Sequence, residues 1–238
     1  MIKKLIAFAA AAALSACVTT SDSFDAQNEI GTVYSGSIPT KGGDILLPPG
    51  DWTVVGKSTE KNKYSQTFGN VALAKIDENK TLDGFVMYSA ALDVPMRFYF
   101  HASSYCDPEQ QTLYFEQQAN QQGGLQQCFF IEDWSLNVTE NSEDFIQQAD
   151  AYFKKHNVSK PATMLFTNYR MSRRNKLLIA QYGFNYRQPV GDVIPGFTPS
   201  EKFVYDHPFG TEGWKTNLET VVSWSKENEP KITKAFLK

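Results

Sequence analysis

His101, His156 and His207 are the only imidazoles in the chain, and none stands two or four residues from another. Those are the spacings from which local metal sites are built. His156 closes a helical pattern, where its ring meets the C-terminal dipole. His207 directly follows Asp206, and adjacent residues do not make a catalytic triad. A Gly-x-Ser-x-Gly elbow is absent, because Tyr34-Ser35-Gly36-Ser37 lacks the first glycine. No glycine loop of the phosphate-cradling kind occurs. Glu132-Asp133 is an acid pair, but glycoside hydrolysis holds its two carboxylates across a substrate, so adjacent acids read as a solvated turn before Trp134. These residues assign no catalytic group, and neither a cofactor nor a metal is expected.

Two groups are better suited to recognition. Arg170, Arg173, Arg174 and Lys176 gather about one hairpin tip, a basic cluster for phosphate or carboxylate on an otherwise acidic protein. The competing reading is a charged turn that guards a sheet edge. Phe197, Tyr205 and Phe209 lie on a proline-rich stretch, where aromatic rings stack on sugars, dock a partner or plug the underside of their own loop.

The amino-terminal residues carry an address. Lys3 and Lys4 precede the alanine-rich run Leu5–Leu14, and Leu14-Ser15-Ala16-Cys17 places small residues where cleavage falls. Ten or so apolar residues are short of the ~20 that span a bilayer, and no later segment is long enough. The leader resembles that of bacterial lipoproteins processed by the lipoprotein signal peptidase, and the lipobox fits at all four positions. The resemblance implies a signal at 1–16, diacylglyceryl on the Cys17 thiol and acylation of the new amino group. Several chains on one residue hold stably, since each buried methylene contributes about 0.8 kcal/mol. Val18 and Thr19 are not the aspartate that favours inner-membrane retention in enterobacterial members, so the family pattern implies an outer-membrane anchor facing the periplasm. A weaker resemblance covers Leu47-Pro48-Pro49-Gly50-Asp51-Trp52, which is similar to a segment of uncharacterised proteobacterial secreted proteins and carries no function with it.

In an oxidising compartment, Cys106 and Cys128 most simply form one structural disulfide. Redox pairs normally stand two residues apart beside a helix start, and these have twenty-one residues between them. Loss of the leader removes two lysines and no acid, leaving 21 basic against 26 acidic residues and a net charge of −5. That balance argues against nucleic acid, whose binding rests on clustered basic residues. The membrane through its lipid, an envelope protein and a cell-wall glycan are the partners the reading allows.

Residues 17–43 are rich in Ser, Thr, Asp, Asn and Gly and read as a lipidated N-terminus and flexible stalk. The folded domain is expected over 44–238. A short apolar run, 44–47, is stopped by Pro48-Pro49-Gly50, and a strand resumes at Trp52. Further strands are expected at 67–76 and 82–94, with 96–102 continuing the sheet. Glutamines crowd the span between the cysteines, which reads as an exposed loop pinned by the disulfide. A helix capped by Asn141 or Ser142 buries Phe145, Ala149, Tyr152, Phe153 and His156. Strands at 162–171 and 176–187 form a hairpin, residues 188–213 form a long irregular loop, and a final helix runs from about Thr216 until Pro230 interrupts it. The pattern is α+β: a single domain with a mainly antiparallel β-sheet and two amphipathic helices. The function expected is binding, structural or assembly work at the envelope; an envelope hydrolase acting on a glycan, peptide or ester is the alternative.

Overall fold

Period-2 alternation and Gly, Asn and Asp turns carry most of the chain into strands. The computed structural model describes residues 20–95, 97–107, 112–121, 125–185 and 212–238. In chain order the elements are α1 (Thr20–Gln27), β1 (Val33–Pro39), β2 (Asp44–Lys61), β3 (Thr67–Ile76), β4 (Leu82–Asp93) and a 3-10 turn (Ser104–Cys106). Then come β5 (Tyr114–Gln121), β6 (Leu125–Ser135), α2 (Asp144–His156), β7 (Thr163–Arg173), β8 (Lys176–Phe184) and α3 (Glu212–Phe236). One 8-stranded sheet holds every strand in the order β1-β2-β3-β4-β8-β7-β6-β5, and each neighbouring pair is antiparallel. The domain is α+β, as its pattern requires.

The sheet is covered on both faces, so its central strands are apolar on both. On one face, α3 lays Val221, Ile232 and Phe236 over Tyr169, Tyr182 and Phe184, and Trp52 completes this core. The Trp224 ring stands edge-on to Tyr182 and Phe184 at 5.4 and 5.1 Å. Inside that core the Tyr169 hydroxyl donates to the Ser225 carbonyl at 2.9 Å, which satisfies a polar group that burial would otherwise penalise. On the opposite face, α2 sets Phe145, Ala149 and Phe153 against Val55, Ala72, Phe85, Met87 and Phe166. Burying each large side chain contributes about 1.5–3 kcal/mol. Gly56 makes this docking possible: a Cβ there would overlap the Phe145 carbonyl oxygen.

The α2 pattern is realised with two changes, at its cap and at His156, which lies on the expected stripe but is exposed beyond its buried part. Asp144 lies in its first turn and Lys154, Lys155 and His156 in its last, as the helix dipole favours. Asn157 stops it in the left-handed region, φ 55°, with its amide turned back to the last carbonyls. Glu143 precedes the helix without a side-chain cap; the Ser142 hydroxyl instead accepts the Thr139 amide in the preceding turn.

Other expectations are corrected. The stretch read as a stalk forms α1 and β1 from Thr20 onward, because Phe24 and Ile38 are buried in the α3-side core and Asn28 hydrogen-bonds back to the Phe24 carbonyl. Pro48-Pro49-Gly50 does not end a strand: β2 runs through it, since Gly50 takes φ 108° and the Pro48 carbonyl receives the Trp52 indole N–H at 2.8 Å. The glutamine-rich span forms the β5–β6 hairpin, with Gln126 buried as an internal hydrogen-bonding group. Residues 97–102 do not extend the sheet; they cover it, with Phe98 and Phe100 against Ala91 and Leu177. Pro230 lies inside α3. It is exposed, so the carbonyl it frees meets solvent, and buried Ile232 and Phe236 hold the turns beyond it. No helix among the described residues is long and apolar enough to cross a membrane.

Candidate functional site

Antiparallel register sets side chains, most of them polar, in rows on the α2 face. Ser58, Asn70 and Ser89 stand opposite one another across β2, β3 and β4, as do Met87, Gln181 and Asn168 across β4, β8 and β7. The α2 helix covers only one end of this face, and the 98–106 segment covers the other. Between them the floor is open to two adjoining cavities of ≈ 380 and ≈ 430 Å³. Met87, Glu143, Phe145 and Gln181 line both, which makes them one groove.

The floor is internally hydrogen-bonded. The Gln181 amide donates to Asn168 Oδ1 at 2.6 Å, and the Asn168 amide donates to Glu132 Oε1 at 3.0 Å. Asn70 Nδ2 reaches Ser58 Oγ at 3.2 Å and Glu60 Oε1 at 3.3 Å. Such a network fixes rotamers before any ligand arrives. Burial raises the Glu132 carboxyl above its ordinary range, against the Asn168 hydrogen bond, which lowers it. Glu143, on the rim, is raised by desolvation and by the neighbouring Glu60 carboxylate.

The first cavity has an aromatic platform: Trp134 is 39% exposed, packs edge-on against Phe166 at 5.3 Å, and stands beside Leu136, Asn137 and Val138. Asp150 at its edge is held below the usual carboxylate range by Lys154 and Lys160 together, which outweigh its desolvation. The second cavity is roofed by Tyr105. The Tyr105 ring packs on Phe130 at 5.2 Å, its hydroxyl is buried without a hydrogen-bond partner, and desolvation pushes that hydroxyl far above its ordinary pKa.

The basic cluster is only partly assembled. Arg173 and Arg174 are exposed at the β7–β8 turn. Lys176 Nζ donates to the carbonyls of Phe236 and Lys238 at the end of α3, at 3.4 and 3.0 Å. Arg170 is not part of that surface: it is 5% exposed on the groove face, donating to Gln126 Oε1 at 2.7 Å and the His101 carbonyl at 3.4 Å. Two residues of a strand that differ by an odd number point to opposite faces, so Arg170 and Arg173 never share one. Burial lowers the Arg170 pKa from its usual value.

Cys106 and Cys128 are joined, with Cα atoms 5.8 Å apart, and the bond fastens the Tyr105-bearing turn to β6. His101 and His156 are exposed and apart, and His156 stacks on Tyr152 at 4.2 Å. Cys17, Phe197, Tyr205, His207 and Phe209 lie outside the described residues. No group of three or more His, Cys, Asp or Glu that could hold a metal occurs among the described residues.

The groove residues gave a partial signal. Gln181 alternates with apolar neighbours in its strand, which marks a polar face; nothing local says that α2 and a disulfide-fastened segment leave that face half roofed. Comparison with known proteins adds no assignment: no family model, no curated protein and no solved structure matches the chain.

Proposed function

We propose that this chain is a lipid-anchored binding protein of the bacterial envelope, acylated at Cys17 in the outer membrane and facing the periplasm, whose groove takes a stretch of cell-wall glycan. The leader supports the address. The groove supports the ligand, and the observation that carries it is Trp134, an exposed indole beside a hydrogen-bonded amide floor. The apolar face of a pyranose ring stacks on an indole, while its hydroxyls pair with Asn and Gln amides, the mixture of apolar wall and few fixed polar groups that small-ligand sites use. Binding is preferred to hydrolysis because Gln181 lies on the floor and the carboxylates that line the groove stand at its rim, Glu60 and Glu143 exposed and Asp150 paired with Lys154 and Lys160.

The test is co-sedimentation of the leaderless chain with purified cell-wall sacculi, and Trp fluorescence with soluble glycan fragments. Trp134→Ala should weaken binding at least about tenfold, the equivalent of ~1.4 kcal/mol, with the far-UV spectrum unchanged. Equal binding by wild type and variant would dismiss the groove as the glycan site. Mass spectrometry of native protein should find the diacylglyceryl adduct on Cys17, and an unmodified thiol there would remove the anchor.

A further inference from the structure

Phe24 fixes where the chain enters the fold. Its ring and the Leu92 side chain close over Gly69, where a Cβ would come within 2.5 and 2.8 Å of them. From there α1 runs inward: Asn28 Oδ1 accepts the Tyr88 hydroxyl at 3.4 Å, and the Gly31 amide donates to the Val54 carbonyl at 2.8 Å. Thr20, at the start of α1, therefore stands at the end of the sheet where Lys61 pairs with Thr67 and Thr67 with Asp93. The β7–β8 turn lies at the same end, because Ala90 pairs with Leu178 and Arg173 with Lys176. The Phe100 amide donates to the Arg174 carbonyl at 3.0 Å and ties the 97–100 stretch there too.

These segments hold Lys61, Lys63, Arg97, Arg173 and Arg174, all exposed, against Glu60 and Asp93, with Asp22 on α1. On an acidic chain, this end reverses the overall sign. Tyr64 and Tyr99, 59% and 48% exposed, stand among the cations, and the Lys63 ammonium lies 5.1 Å from the centre of the Tyr64 ring. Membrane–water interfaces favour exposed tyrosine beside lysine and arginine, since the ring is apolar and its hydroxyl stays wet. A charged turn that only guards a sheet edge needs neither the tyrosines nor the chain entry beside it.

We propose that this end of the sheet lies on the bilayer that holds the anchor, its lysines and arginines on the phosphates of anionic phospholipids and Tyr64 and Tyr99 at headgroup level. The orientation rests on the proposed acylation of Cys17. Thr20 is the third residue after that cysteine, so a lipid there brings the entry end of the sheet nearest the membrane. Each basic residue brought to an anionic surface multiplies the affinity about fivefold, and the tether supplies a high local concentration.

The test uses the native acylated protein, reconstituted in vesicles of phosphatidylcholine alone or of phosphatidylcholine with phosphatidylglycerol. Lysine acetylation is followed by mass spectrometry at Lys61 and Lys63. Exposed Lys80 and Lys155 are the references at the far end of the sheet, where the Ser159 amide beyond α2 donates to the Lys80 carbonyl. Phosphatidylglycerol should slow Lys61 and Lys63 at least about threefold relative to the references, and added salt should restore the rate. Arg173→Gln/Arg174→Asn removes two cations from exposed turn positions, Asn suiting the φ of 57° at Arg174. It should abolish the slowing and leave Tm unchanged. Equal relative rates in the two kinds of vesicle, or undiminished slowing in the double variant, overturns the proposal. Equal rates with a diacylglyceryl adduct on Cys17 remove the headgroup contact and leave the anchor; an unmodified Cys17 removes both.

Discussion

Replacing Gly56 by alanine tests the seating of α2, on which the groove depends. A Cβ at this position would sit about 1 Å inside the closest approach tolerated in a packed interior, against the Phe145 carbonyl oxygen, and 3.1 Å from the Ala149 amide nitrogen. Both obstacles are helix backbone, which no rotamer change moves. The start of α2 must therefore lift from β2 by about 1 Å, carrying with it the Phe145 ring that lines both cavities. Overpacking of this kind costs roughly 1–3 kcal/mol, which for a domain of this size lowers Tm by about 2–12 °C. Differential scanning calorimetry reads the loss. Amide hydrogen exchange should show faster opening in α2 than in α3, which packs on the other face. An unchanged Tm with unchanged exchange in α2 would refute the close contact between this helix and β2.

Two further perturbations probe other parts of the fold. Burial and the Asp77 charge, opposed by Lys75, push the Asp83 carboxyl up to about 6, and its Oδ1 has no hydrogen-bond partner. Because the folded state then holds this proton more tightly than the unfolded chain, Asp83 costs stability as pH rises from about 4 to about 6, by up to ~3 kcal/mol. Asp83→Asn should flatten that slope in urea melts and exceed wild type at pH 7.5; an identical slope in both proteins would contradict the assignment. Removing the disulfide with Cys106→Ala/Cys128→Ala should cost about 3 kcal/mol and speed proteolysis of the segment over the second cavity, with limited trypsin digestion at Arg97 as the readout. Resistance at that site would show that the segment holds without its covalent tie.

Elements with strong periodicity were legible. β4 reads as a nearly continuous apolar strand because both its faces are packed, β8 alternates because its groove face carries Gln181, and the Phe145–Ala149–Phe153 stripe of α2 announces its buried side. The first folded segment was not legible, because two widely spaced anchors, Phe24 and Ile38, make no pattern within a polar composition. The β5–β6 hairpin hid behind its glutamines for a tertiary reason: Gln126 is buried by hydrogen bonds to Ser103 and Arg170, partners distant in sequence. Pro230 reads locally as a helix break, yet distant packing of Ile232 and Phe236 decides the matter. The groove was the least legible feature, since it is a gap between α2 and the 98–106 segment. Residue types announce the walls, whereas an opening belongs to their arrangement.

With α1 beginning at Thr20 and Phe24 already inside the core, little chain is left over to act as a leash. If Cys17 carries the proposed lipid, a fully extended backbone from it to Thr20 spans no more than about 11 Å. A body moored that closely would ride on the headgroups, without freedom to sweep the periplasm. Its reach toward the wall would then be set by the size of the folded body and not by the length of a leash.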